Sequence, residues 1–70
     1  MKTAECIKSL RIENNMTQQQ LADKLFTSQD TISFWERDKS YPDVVAVIRM
    51  AKIFNVSTDY ILCVDDFNQN

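Results

Sequence analysis

The sequence predicts an all-α fold of five short helices, and three observations carry that prediction. Its 70 residues contain no glycine and a single proline, Pro42, a composition that favours helices over hairpins. Apolar residues recur at three- and four-residue spacing. A hydroxyl or carboxylate residue suited to cap a helix stands ahead of each apolar run: Thr3, Thr17, Ser28, Asp43 and Ser57.

The first helix is expected from a Thr3 cap to about Asn14, with Ile7 and Leu10 facing inward. Asn14-Asn15 suits its end, because asparagine tolerates the left-handed conformation. Thr17 stands three residues before Gln20, the spacing of a reciprocal capping box, with Met16 and Leu21 placed as a hydrophobic staple. That starts a second helix over about 18–25, burying Leu21, Ala22 and Leu25. Ser28 caps a third over about 29–37, whose apolar pair is Ile32 and Trp35. After a polar loop, Asp38 to Pro42, Asp43 opens a fourth helix with Val44, Val47, Ile48, Ala51 and Phe54 at core spacing. Ser57 caps the fifth, with Val56 and Ile61 as its staple. The predicted core is Ile7, Leu10, Leu21, Leu25, Ile32, Trp35, Val44, Ile48, Ala51, Ile61 and Leu62. Residues 1–64 form one domain, and the polar segment 65–70 is expected to fray.

Several function classes are disfavoured. There is no histidine to activate a Ser or Cys nucleophile and no glycine loop to cradle phosphate, so no enzyme and no catalytic residue is expected. Two sulfurs without histidine do not complete a structural zinc site. Cys6 and Cys63 could meet, since first and last helices often pack together, but in a reducing compartment two free buried thiols are the favoured reading. Residues 1–4 lack the apolar stretch of a signal peptide, and no apolar run has membrane-spanning length. The expectation is a cytoplasmic protein with no membrane partner, no cofactor and, lacking a sensing domain, no small-molecule ligand.

The second and third helices are separated only by Phe26 and Thr27. So short a link forces a steep crossing and exposes the outer side of the third helix, the arrangement with which helix pairs read duplex DNA. The formal net charge of −2 runs against the basic footprint usual for such modules. The deficit lies toward the C-terminus, where Asp43, Asp59, Asp65 and Asp66 outnumber Arg49 and Lys52, while charges balance up to Lys39. Helix N-termini and amide side chains still bind phosphate there, with weak non-specific affinity as the consequence.

Thr17-Gln18, Leu21-Ala22, Thr31-Ile32-Ser33, Trp35-Glu36 and the run Asn55-Val56-Ser57 with Asp59-Tyr60, at their separations, resemble the helix-turn-helix of the Xre family, the phage Cro and repressor-type regulators. Ile7, Leu10 and Arg11, then Tyr41-Pro42-Asp43-Val44, extend the similarity over nearly the whole chain. The resemblance implies a five-helix, lambda-repressor-like DNA-binding domain. It also implies a small transcriptional regulator, most simply a repressor that occupies an inverted-repeat operator on double-stranded DNA as a homodimer. The rival reading is a protein-interaction module that keeps the fold and has lost DNA.

On that resemblance Gln18 contacts a phosphate at the second helix's N-terminus, the alternative being a solvated glutamine. Gln29 opens the recognition helix, and its amide matches adenine N6 and N7. Asp30 accepts from a cytosine amino group or merely complements the helix dipole. Ser33 and Phe34 complete the base-reading side. Phe34 stands where the family often has a polar side chain, and its ring suits a thymine methyl, a protein partner or a lid over the core. Ser28, Thr31, Arg37, Lys39 and Ser40 are the further phosphate candidates. Arg11 and Glu36 match a pair that bridges the first and third helices in the family. Phe26 departs from the family's glycine at this turn: either its ring packs on the core, or the turn changes shape. Tyr41, Val45 and Ala46, with Met50 and Ile53 beside them, are the candidate dimer patch.

Overall fold

The computed structural model describes residues 2–63, and the expected tail over 65–70 lies outside them. Five helices follow one another: α1 (Lys2–Glu13), α2 (Gln18–Leu25), α3 (Gln29–Glu36), α4 (Val44–Phe54) and α5 (Thr58–Leu62). No strand occurs among the described residues.

Local chemistry sets most boundaries. The Thr17 hydroxyl accepts from the Gln20 N–H at 3.0 Å while the Thr17 N–H donates to Gln20 Oε1 at 2.8 Å, closing the capping box. Ser28, Asp43 and Ser57 each accept from the backbone N–H three residues on. Thr3 is not a cap. Helix α1 already includes Lys2, and Thr3 sits inside its first turn, buried, with no hydrogen-bond partner for its hydroxyl among the described residues.

Every helix ends on a left-handed residue, and none is glycine: Asn15, Phe26, Asp38, Asn55 and Cys63 all have φ between 55° and 60°. After α1 the Met16 N–H reaches the Arg11 carbonyl and the Asn15 N–H that of Ile12. After α3 the Lys39 N–H reaches Phe34 and the Asp38 N–H reaches Trp35. Both pairs are Schellman closures, which satisfy carbonyls the helix leaves over.

The core joins Ile7 and Leu10 of α1, Leu21, Ala22 and Leu25 of α2, and Ile32 and Trp35 of α3. Val47, Met50, Ala51 and Phe54 of α4 and Ile61 of α5 complete it. Met16 and Val56, the outer halves of the two staples, pack against it. Three expected core residues are outside: Val44, 74% exposed, with Ile48 and Leu62. Met50, expected beside the surface patch, is fully buried. Both patterns satisfy helical spacing, and the charges decide between them. Arg49 and Lys52 keep their heads in water, and the side opposite them carries residues 47, 50, 51 and 54. Val44, Ile48 and Leu62 instead line an apolar groove of about 290 Å³ with Pro42, Val47 and Thr58.

Cys6 and Cys63 are free and half-buried rather than fully buried. Both thiols donate to the Tyr60 carbonyl, at 3.6 and 3.7 Å, tying α1 to the end of α5. Burial, reinforced by Cys63 and Glu13, pushes the Cys6 thiol from 9.0 up to about 11. The neutral thiol is therefore the form that the fold favours. Its contribution is complete below pH 9 and is lost as the pH rises through about 11. Urea midpoints between pH 8 and 11 are expected to fall more for the wild type than for Cys6→Ala; parallel curves would contradict the shift.

Candidate nucleic-acid interface

Helices α2 and α3 are joined by Phe26, Thr27 and Ser28. Phe26 adopts φ 58° and ψ 42°, so the turn takes the left-handed shape that glycine adopts most easily. Neither sequence-based alternative describes it. The ring is 84% exposed and so not packed on the core, and the Arg49 guanidinium of α4 lies over it, 5.3 Å from its centroid. That cation–π contact supplies about 0.5–1 kcal/mol at an exposed site, comparable with the left-handed penalty of about 1–2 kcal/mol for a residue with a Cβ.

With Ile32 and Trp35 turned into the core, α3 presents Gln29, Asp30 and Phe34 to solvent, with Thr31 and Ser33 half-buried beside them. Arg37, Lys39 and Tyr41 follow, exposed, with Ser40 half-buried. The outward side of α3 is uncovered by the described chain. Ser28 and Thr31 share a hydroxyl–hydroxyl bond of 2.9 Å at the start of α3. Among the patch candidates, Tyr41 and Val45 are exposed, while Ala46 and Ile53 are half-buried and pack against the core.

A chain of hydrogen bonds runs from α1 to the reading side. Arg11 Nε donates to Glu36 Oε2 at 2.7 Å, Nη2 to Oε1 at 3.0 Å, and Nη1 to the Met16 carbonyl at 2.8 Å. The Glu36 bond is the main cause that raises the Arg11 pKa further above its ordinary value, against the opposing effect of burial. Gln18 Nε2 donates to the same Glu36 Oε1 at 3.2 Å, and Gln29 Nε2 donates to Gln18 Oε1 at 3.3 Å. Each orientation dictates the next. A carboxylate only accepts, so Gln18 turns its NH2 to Glu36 and its oxygen to Gln29; Gln29 then spends one N–H on that oxygen. What remains on Gln29 is one acceptor and one donor, the two kinds of group that adenine N6 and N7 require.

Sequence reading placed Gln18 and Gln29 separately and missed this link. Its members are 18 and 11 residues apart, beyond any helical repeat. Arg37 also has an unexpected position. It folds back along α3, its Nε donating to the Ser33 carbonyl and Oγ at 3.3 and 3.1 Å. Its guanidinium lies 5.1 Å from the centroid of the Phe34 ring. Among the described residues no three His, Cys, Asp or Glu side chains gather to hold a metal, and no helix is long and apolar enough to cross a membrane.

The family model described as helix-turn-helix matches residues 7–61. The chain is 39% identical over 62 residues to the HTH-type transcriptional activator BcrR of Enterococcus faecalis, covering 89% of this chain and 30% of that protein. It is 32% identical over 69 residues to the HTH-type transcriptional regulator ImmR of Bacillus subtilis (strain 168), covering 99% of this chain and 54% of ImmR. The chain thus spans about a third to a half of these curated relatives. Among solved structures it is similar to the P22 c2 repressor in complex with a synthetic operator. The TM-score is 0.79 at 27% identity, over 84% of this chain and 89% of the repressor chain.

Proposed function

The chain belongs to the helix-turn-helix family, and from that premise we propose that it binds double-stranded DNA as a transcriptional regulator, inserting the outward side of α3 into the major groove. The observation that carries this reading is the preset Gln29 amide. The hydrogen-bond chain through Gln18 and Glu36 ties down one N–H of this exposed side chain and leaves its oxygen and second N–H to bond elsewhere, so less ordering is lost on binding. The repressor–operator complex among the similar structures supports it from outside.

In this reading Gln29, Asp30, Ser33 and Phe34 face base edges. Gln18, Ser28, Thr31, Lys39 and Ser40 position the phosphate backbone, with the N-termini of α2 and α3 contributing N–H groups. Arg11 and Glu36 hold α3 against α1. One eight-residue helix touches few base pairs, so a second copy on an inverted repeat, about one helical turn (~34–36 Å) away, supplies the specificity a single copy lacks. Support for a homodimer comes from the exposed apolar surface around Tyr41 and Val45 and from the adjoining groove of Val44, Ile48 and Leu62. Such a dimer acts most simply as a repressor, by occupying its operator.

Titration of selected duplexes at several salt concentrations tests the reading. The affinity is expected to fall linearly on a log–log scale, with a slope of about −0.9 per phosphate neutralised. Gln29→Ala is expected to relax preference at one base position, by about 1–3 kcal/mol. Gln18→Ala is expected to weaken every duplex and also to blunt that preference, because it releases Gln29. The exposed Phe26 ring favours a second reading, a protein-binding module on the same fold. A chain that forms no saturable complex with any duplex at low salt would overturn the DNA reading, and a protein partner captured through Phe26 would be needed to support the module.

A further inference from the structure

Arg37 and Phe34 are one turn apart at the C-terminal end of α3, and the structure joins them. The guanidinium lies over the ring, and its Nε is held by both the Ser33 carbonyl and the Ser33 hydroxyl. A long exposed side chain gives up considerable rotamer freedom to be held in that way. The result is a planar cation fixed on the reading side of α3 rather than reaching toward the loop at 38–40. With Nε committed to Ser33, the Nη1/Nη2 fork is the part of Arg37 left to meet an acceptor pair. In the major groove that pair is O6 and N7 of guanine.

Phe34 has one face under the guanidinium, yet the residue remains 45% exposed. An exposed ring on a groove-reading helix finds a single apolar feature on base edges, the thymine C5-methyl. Because ring and guanidinium touch each other, the features they contact must be neighbours too.

We propose that Phe34 and Arg37 act as one reading unit, in which the ring covers the C5-methyl of a thymine while the Nη1/Nη2 fork pairs with O6 and N7 of an adjacent guanine. The half-site then contains a thymine–guanine step in addition to the adenine read by Gln29. Arg37, which the sequence places among the phosphate contacts, becomes a specificity determinant. The inference rests on the reading of α3 as a major-groove helix and adds to it the identity of two bases.

The test uses the full chain and a duplex recovered by selection from random sequences. In that duplex the thymine of a thymine–guanine step is replaced by deoxyuridine, which removes only the methyl, and separately the guanine by 7-deazaguanine, which removes only N7. Wild type is expected to lose affinity about 3- to 10-fold on deoxyuridine and about 10-fold or more on 7-deazaguanine. Phe34→Ala is expected to be indifferent to the first change and Arg37→Lys to the second, since lysine keeps the charge but not the fork. Selected duplexes without a thymine–guanine step, or wild-type indifference to both analogues, would overturn the proposal. So would an Arg37→Lys variant that keeps wild-type affinity and 7-deazaguanine sensitivity, the behaviour of a phosphate contact. In each of these results DNA is still bound, so the failure belongs to this inference alone; absence of binding to any duplex overturns the parent reading and this one with it.

Discussion

Glu36→Ala is expected to lower folding stability by about 3–5 kcal/mol, the largest loss of any single polar substitution in the described chain. The carboxylate accepts from Arg11 Nε, Arg11 Nη2 and Gln18 Nε2, and its side chain is only 3% exposed, against 13% for Arg11. Truncation would leave a desolvated guanidinium bonded, among the described residues, to the Met16 carbonyl alone, and an uncompensated charge costs more than the intact pair contributes. Urea denaturation of the single variant and of Arg11→Met/Glu36→Leu checks this. The double variant is expected to recover much of the loss, because two apolar side chains impose no desolvation penalty. A single variant within 1 kcal/mol of wild type would place the pair in the weak class typical of surface ion pairs.

The second large effect concerns which side of α4 faces inward. Met50→Ala is expected to cost about 2–5 kcal/mol, since the side chain is fully buried and its removal leaves a cavity among close-packed neighbours. Val44→Ala, at a residue mostly in water, is expected to stay within about 0.5 kcal/mol. Chemical denaturation of both variants compares them directly. The opposite ranking would mean that the helix is turned with Val44 and Ile48 inward.

The two predictions also mark where sequence alone succeeds and where it stops. Helix starts were legible at Thr17, Ser28, Asp43 and Ser57, because a cap bonds three residues ahead and leaves its mark in adjacent letters. Thr3 had the right chemistry, yet the helix begins at or before Lys2. The inward side of α4 was harder to read. Its run from Val44 to Ala51 is apolar nearly all round, so two stripes fit, and only the positions of Arg49 and Lys52 separate them. The Arg11–Glu36 pair was visible through family resemblance and not through any local pattern. The Gln18–Gln29 link and the seat of Arg37 on Phe34 were invisible, the first because it joins distant positions and the second because a loop cation has many places to go. At Phe26 the strain was foreseeable, but its companion on another helix was not.

The absence of glycine at the five helix ends has a consequence for the denatured chain. A backbone with a Cβ at every position samples fewer conformations when unfolded, so less disorder is surrendered on folding than in a chain whose corners are glycine. The left-handed corners cost enthalpy in the native state, but the stiffer random coil works in the opposite direction. That balance helps so small an interior hold a definite shape, and it implies that glycine substitutions at these corners would relieve strain while loosening the very ensemble whose narrowness favours the fold.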